Sequence, residues 1–131
     1  MPSNGEVQLI SKVASIVTTT SASTEIVSIP VPNSTSCLFV VDCIAQNPSS
    51  SGNMYTFQGS YLCNASGSVA SLQGSGTAPI HIQPGSYTII KGVTVGTNGP
   101  NFRVLASGSN AQAYRWGVIV TGLAMYQEVT E

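Results

Sequence analysis

Charge is what this sequence has least of. Lys, Arg, Asp and Glu together make up 7% of the chain, where roughly 25% is typical of soluble domains. The formally charged residues are Glu6, Lys12, Glu25, Asp42, Lys91, Arg103, Arg115, Glu128 and Glu131, and they form neither a basic cluster nor a block of one sign. With a net charge of −1, nucleic-acid capture by phosphate neutralisation is excluded, and no stretch reads as a membrane-surface helix. Long apolar runs are missing too. The run around Val40 and Val41 stops at Asp42, far short of the ~20 residues that span a membrane. Met1-Pro2-Ser3-Asn4-Gly5-Glu6 has no basic n-region, and no apolar h-region precedes Thr18-Thr19-Thr20-Ser21, so a chain made in a cytoplasm and not exported by a cleaved signal is expected.

Side chains that do chemistry are equally scarce. The single histidine, His81, sits between Ile80 and Ile82, and Asp42 is the single aspartate. A triad base needs a carboxylate to orient it, and nothing in the sequence brings these two together. The acids fall in no pattern suggesting a glycosidase pair. Gly74-Ser75-Gly76 is followed by no Lys-Ser/Thr, so it is not a phosphate loop. Asn33-Ser34-Thr35 and Asn64-Ala65-Ser66 fit the glycosylation triplet by chance. No enzyme, no cofactor and no metal site are expected.

Three cysteines are an odd number, unsuited to a disulfide framework. No CxxC occurs among them. Cys37 and Cys43 share one face of one strand, about 20 Å apart at ~3.3 Å per residue, too far to bond or to share an ion. Cys37 and Cys63 are a candidate cross-strand pair. If the turn around Pro48-Ser49-Ser50-Ser51-Gly52 sets Gln46 against Met54, paired numbers sum to a constant and Cys37 faces Cys63. The other reading is three buried thiols acting as small hydrophobes.

What the sequence has is period-two alternation. The longest stretch is Ala113 to Gln127. One face carries Tyr114, Trp116, Val118, Val120, Ala124 and Tyr126, interrupted by Gly122; the other carries Arg115, Gly117, Ile119, Thr121, Leu123, Met125 and Gln127. The face with the single Trp is read as core. Ile119, Leu123 and Met125 make the opposite face apolar as well, so it needs its own cover, which in a chain of 131 residues points to another subunit. Arg103 and Arg115 are read as outward-facing on the last two strands, where they could form one small basic spot, and as subunit-interface candidates together with Ile119, Leu123 and Met125.

Further strands are expected at Lys12–Thr18, Glu25–Val31, Cys37–Gln46, Met54–Asn64, Ser86–Val95 and Phe102–Ala106, with weaker ones at Ser68–Leu72 and Ile80–Ile82. Gly74-Ser75-Gly76-Thr77 reads as a flexible loop, and Pro84-Gly85 and Asn98-Gly99 as turns. The expected core is Phe39, Val41, Phe57, Tyr61, Tyr87, Ile89, Phe102, Val104, Trp116 and Val118. Tyr55, Tyr61, Tyr114 and Tyr126 could stack on sugars, but alternation places most of them inside. About eight strands at regular spacing without helical periodicity predict one all-β domain, an antiparallel sandwich or jelly roll. It spans residues 12–131, and residues 1–11 form an N-terminal arm carrying Val7, Leu9 and Ile10.

The last two strands, Asn101-Phe102-Arg103-Val104-Leu105-Ala106-Ser107-Gly108 and Tyr114-Arg115-Trp116-Gly117-Val118-Ile119-Val120, resemble the end of a β-sandwich module common in tailed-bacteriophage virion proteins. Ile26-Val27-Ser28-Ile29-Pro30-Val31-Pro32 resembles the start of that module. Phe57-Gln58-Gly59-Ser60-Tyr61 and Ser71-Leu72-Gln73-Gly74 fall where it has its middle motifs. The likeness runs over residues 12–127. This chain departs from it in being poorer in charge and in placing Cys where the module has aliphatics. The resemblance implies a non-catalytic homotrimer. The free-standing form suits a capsid decoration (cement) protein on the virion surface, made in the host cytoplasm, its arm clasping the major capsid protein or a neighbouring copy. The alternative is a receptor-binding tip of a tail or head fibre, binding host surface glycans through loops 47–53, 74–79 and 96–100.

Overall fold

The computed structural model describes residues 7–47, 50–66, 69–82, 92–108 and 113–126. Among them are eight strands: β1 (Val7–Thr18), β2 (Thr24–Pro30), β3 (Thr35–Asn47), β4 (Ser50–Ser66), β5 (Val69–Ile82), β6 (Gly92–Asn98), β7 (Asn101–Ser107) and β8 (Tyr114–Tyr126). They form a five-stranded sheet in the order β1-β8-β3-β4-β5 and a three-stranded sheet in the order β2-β7-β6, and every pairing is antiparallel. A hairpin rolled into a jelly roll pairs its strands from the outside in. Here β1 with β8, β2 with β7 and β4 with β5 keep that pairing, while β3 is bordered by β8 and β4 and does not meet β6. The architecture is a β-sandwich that follows the jelly roll only in part.

The two inner faces meet through aromatic rings. Phe39 of β3 stacks on Phe102 of β7 with ring centroids 4.3 Å apart, and Tyr61 of β4 leans on the same ring. The Tyr55 hydroxyl accepts from the backbone N–H of Val93 at 3.2 Å, a buried bond joining β4 to β6 across the sandwich. Alternation places these residues. The burial of β3 and β8 switches at every residue along most of each strand. Cys37, Phe39, Val41, Cys43 and Ala45 of β3 and Tyr114, Trp116, Val118, Val120 and Ala124 of β8 point inward and are buried, while Tyr126, expected on the same face of β8, is only half-buried at the strand's end. Of the expected core, Phe39, Val41, Phe57, Tyr61, Phe102, Val104, Trp116 and Val118 are all buried; Tyr87 and Ile89 lie outside the described residues.

Departures from alternation have local causes. Ile26 and Val27 are both buried although adjacent, because β2 shifts register against β7 between Glu25 and Val27, and such a bulge turns two successive side chains to one side. The β6–β7 hairpin closes on Gly99-Pro100, with Asn98 opposite Asn101, so the turn lies one residue later than Asn98-Gly99. Gly99, at φ 59°, supplies the positive φ that a tight hairpin needs at its first central position and that Pro100 cannot adopt.

Three boundaries differ from the sequence reading. β1 begins at Val7 instead of Lys12, and Val7 to Ser11 pair with Met125 to Thr121. The expected arm residues Val7, Leu9 and Ile10 are thus part of an edge strand. Gly74 to Thr77, expected as a loop, run inside β5, where Gly74, Ser75 and Thr77 pair with Leu62, Tyr61 and Ser60 despite three register shifts. The strand expected at Ser86–Val95 is described from Gly92 onward and continues to Asn98; Ser86 to Lys91 lie outside the described residues.

Candidate functional site

The outer face of the five-stranded sheet carries an unusual amount of exposed apolar surface. Val7, Leu9, Val13 and Val17 of β1, Ile119, Leu123 and Met125 of β8, Leu38 and Ile44 of β3, and Leu62 of β4 are all exposed. Register turns this scatter into a pattern. Leu9 pairs with Leu123, Leu123 with Leu38, and Leu38 with Leu62. One row of four leucines therefore crosses four adjacent strands, spanning about 14 Å at ~4.8 Å per strand. These side chains are 75%, 45%, 40% and 47% exposed in that order, so the row is open to solvent along its whole length. Contiguous apolar surface of this kind is the mark of an interaction face.

Beside the row lies a depression. Ser15, Gly117, Ile44 and Thr56 pair in sequence across the same four strands, and the two smallest, Ser15 and Gly117, stand next to each other. They leave a shallow concavity of about 830 Å³ whose rim includes Val13, Ile119, Asp42 and Gln58. A smaller hollow of about 170 Å³ continues past Gly117 toward Gln46 and Arg115. The polar part of the rim is internally bonded. Asp42 and Gln58 are register partners, and Gln58 Nε2 donates to Asp42 Oδ1 at 3.0 Å. Among the described residues of this face the formal charges are Asp42 and Arg115, one of each sign.

Sequence reasoning places Arg115, Ile119, Leu123 and Met125 on this face, and all four are exposed there. Val7 and Leu9 share the face through β1, while Ile10 points to the inner side and packs partly buried against the core. Arg103 is elsewhere. β7 and β8 follow one another in the chain but enter different sheets, so Arg103 lies on the three-stranded sheet, where Nη1 is 3.7 Å from Glu25 Oε1, and its Nε is buried without a hydrogen-bond partner among the described residues. The two arginines do not form a shared spot. Leu38, Ile44, Leu62, Val13 and Val17 are the part of the face that single-strand reading missed. Each reads as an ordinary outward residue until the strands are set in register.

The described acids do not come together. Glu25 and Asp42 lie on different sheets, and among the described residues no three His, Cys, Asp or Glu side chains come together as a metal site. The side chain of His81 lies outside the described residues, as do Glu128 and Glu131. Cys37 and Cys63 are direct register partners, both buried and both free thiols. Burial pushes the Cys63 thiol up to about 11, with a smaller contribution from the neighbouring Cys37. It pushes Cys43 up to about 12 and raises Cys37 also, against the lowering effect of a hydrogen bond with Thr35. These are inert thiols at neutral pH. Among the described residues every Phe, Tyr and Trp except Tyr126 is buried, so the sheets present almost no aromatic platform for a sugar.

No protein-family model matches the chain, and no curated protein sequence matches it. Among solved structures it is similar to the tailspike protein gp49 of Acinetobacter baumannii bacteriophage Fri1, a capsular polysaccharide depolymerase. The identity is 11% over 92% of this chain, with a TM-score of 0.47. It is also similar to the tailspike protein of Acinetobacter baumannii phage AM24, at 12% identity over 95% of this chain and a TM-score of 0.46. The chain spans 18% of the first protein's length and 27% of the second's. Likeness at this level bears on neither residues nor activity.

Proposed function

We propose that this chain is a structural module of a phage virion that works by assembly and performs no reaction: a homotrimer whose copies cover one another's five-stranded sheets. The observation that carries the reading is the leucine row Leu9–Leu123–Leu38–Leu62. A hydrophobic band open to water on a charge-poor chain is stabilised by burial, at roughly 25 cal/mol per Å² removed from solvent. The occupant best suited to it is another copy. Asp42 and Arg115 balance each other on the face, so three copies meeting around a threefold axis bring no net charge together, and different parts of the apolar face of each copy pack against its two neighbours. The resemblance of the last two strands to phage virion modules supplies the setting.

Within that setting the preferred placement is capsid decoration, with the major capsid protein as the second partner and the segment before β1 as its tether. The alternative is a receptor-binding tip on a tail or head fibre. It draws support from the Gly99-Pro100 hairpin tip, which is exposed yet tied down: the Gly99 carbonyl accepts from Ala70 N–H and the Pro100 carbonyl from Val31 N–H. A loop so fixed is preorganised for binding. Counting the chain's copies per purified particle by quantitative mass spectrometry tests the placement. Capsid-wide stoichiometry is expected; a handful of copies, together with glycan binding, would move the module to a fibre tip.

A further inference from the structure

The structure assigns Cys37 and Cys63 a role beyond filling the core: they are a latent cross-strand disulfide that closes when the protein meets a disulfide oxidant. The two residues are exact opposites in the β3–β4 ladder, with both side chains on the inner face and both buried. Directly opposed residues of an antiparallel pair have Cα atoms about 4.5 or 5.5 Å apart, depending on whether they exchange hydrogen bonds. Either separation falls inside the window of about 4.4–6.8 Å in which a disulfide forms without moving the backbone. Cys43 has no such partner, since its register neighbours are Phe57 and Val118. The geometry therefore selects one pair from three thiols.

The step balances with a small-molecule disulfide such as oxidised glutathione. One cysteine thiolate attacks it, forming a mixed disulfide and releasing one small thiol. The opposed cysteine then displaces the second small thiol, leaving one Cys37–Cys63 S–S bond; the protein loses two protons and two electrons, and the oxidant gains them. Burial makes the closure slow near neutral pH, because the attacking species is the thiolate. The pair therefore stays reduced where the chain is made. The bond would sit on the inner face next to the Leu38–Leu62 pair of the outer row. It would fix the β3–β4 register against the one-residue slip that sends a strand's outward set inward. The inference stands independently of the assembly reading.

The test uses the full chain incubated with oxidised glutathione at mildly alkaline pH, with and without sub-denaturing urea. The protein is then quenched in acid, unfolded, and alkylated with iodoacetamide before its intact mass is measured. The expected product has lost two hydrogens and carries one alkyl group, on Cys43; the Cys43→Ala variant carries none, and the Cys37→Ala and Cys63→Ala variants never lose two hydrogens. Three alkyl groups under both conditions, a persistent glutathione adduct, or a bond that includes Cys43 would overturn the assignment.

Discussion

The indole N–H of Trp116 donates to the hydroxyl of Thr18 at 2.8 Å inside the core, tying the last strand to the end of the first. Both residues are buried, so neither group can turn to water instead. Replacing Thr18 with Val keeps the shape and removes the acceptor. An unsatisfied buried donor costs about 1–3 kcal/mol, and a loss of that size is expected in urea denaturation, with Thr18→Ser largely retaining stability. Trp116→Ala, which also opens a cavity, is expected to lose about 3–5 kcal/mol.

Two glycines of β8 are predicted to behave oppositely. A Cβ on Gly122 would lie 2.7 Å from Phe39 Cε1 and 3.3 Å from Ile10 Cβ, because the Phe39 ring folds over its register partner. Gly122→Ala should therefore destabilise by about 1–3 kcal/mol through overpacking. A Cβ on Gly117 would meet only Ile44 Cγ2, at 3.8 Å, and thermal melts of Gly117→Ala should match the parent closely.

Stability should fall in alkali. Burial raises the thiols of Cys43, Cys63 and Cys37 above their ordinary value. Between roughly pH 8.5 and the folded-state values the unfolded chain gives up protons that the folded chain keeps. The folded state is thus favoured below that window and loses its advantage as pH rises through it, by up to about 1.4 kcal/mol per pH unit for each thiol. Urea midpoints at pH 8 and pH 10 should show the drop, and Cys43→Ala should show a smaller one.

Much of this was legible before the structure. The inward sets of β3 and β8 follow from alternation, and the turn after Gln46 was enough to place Cys37 opposite Cys63, because one register pair fixes all the others in an unbroken ladder. What failed to read has physical reasons. Gly74 to Thr77 looked like a loop because strand propensity lives in side chains, whereas β5 is held there by backbone pairing. Arg103 and Arg115 looked like neighbours because β7 and β8 are consecutive, and sequence order does not say which sheet a strand joins. The leucine row was invisible because its members lie on four strands. Leu123 announced itself, while Leu38 and Leu62 became part of a surface only when three registers were combined. The start of β1 is hidden in the sequence because Val7 to Ser11 alternate weakly.

That longer β1 has its own consequence. Removing residues 1–11 would take Leu9 from the row and bare the β8 backbone from Thr121 to Met125, whereas removing residues 1–6 keeps every residue of β1. The shorter deletion is expected to keep the assembled mass and weaken only capsid attachment, measured by co-sedimentation with particles. The longer one should lower the melting temperature as well.

The central claim is that the outer face of the five-stranded sheet is covered by identical copies. Sedimentation equilibrium at micromolar concentration, on the parent chain and on Leu38→Asp, tests it most directly. The account predicts a mass of three chains for the parent and of one chain for Leu38→Asp, with the same far-ultraviolet circular dichroism for both. A parent that sediments as a single 13.5 kDa chain, or a Leu38→Asp variant that still sediments as three, would contradict it.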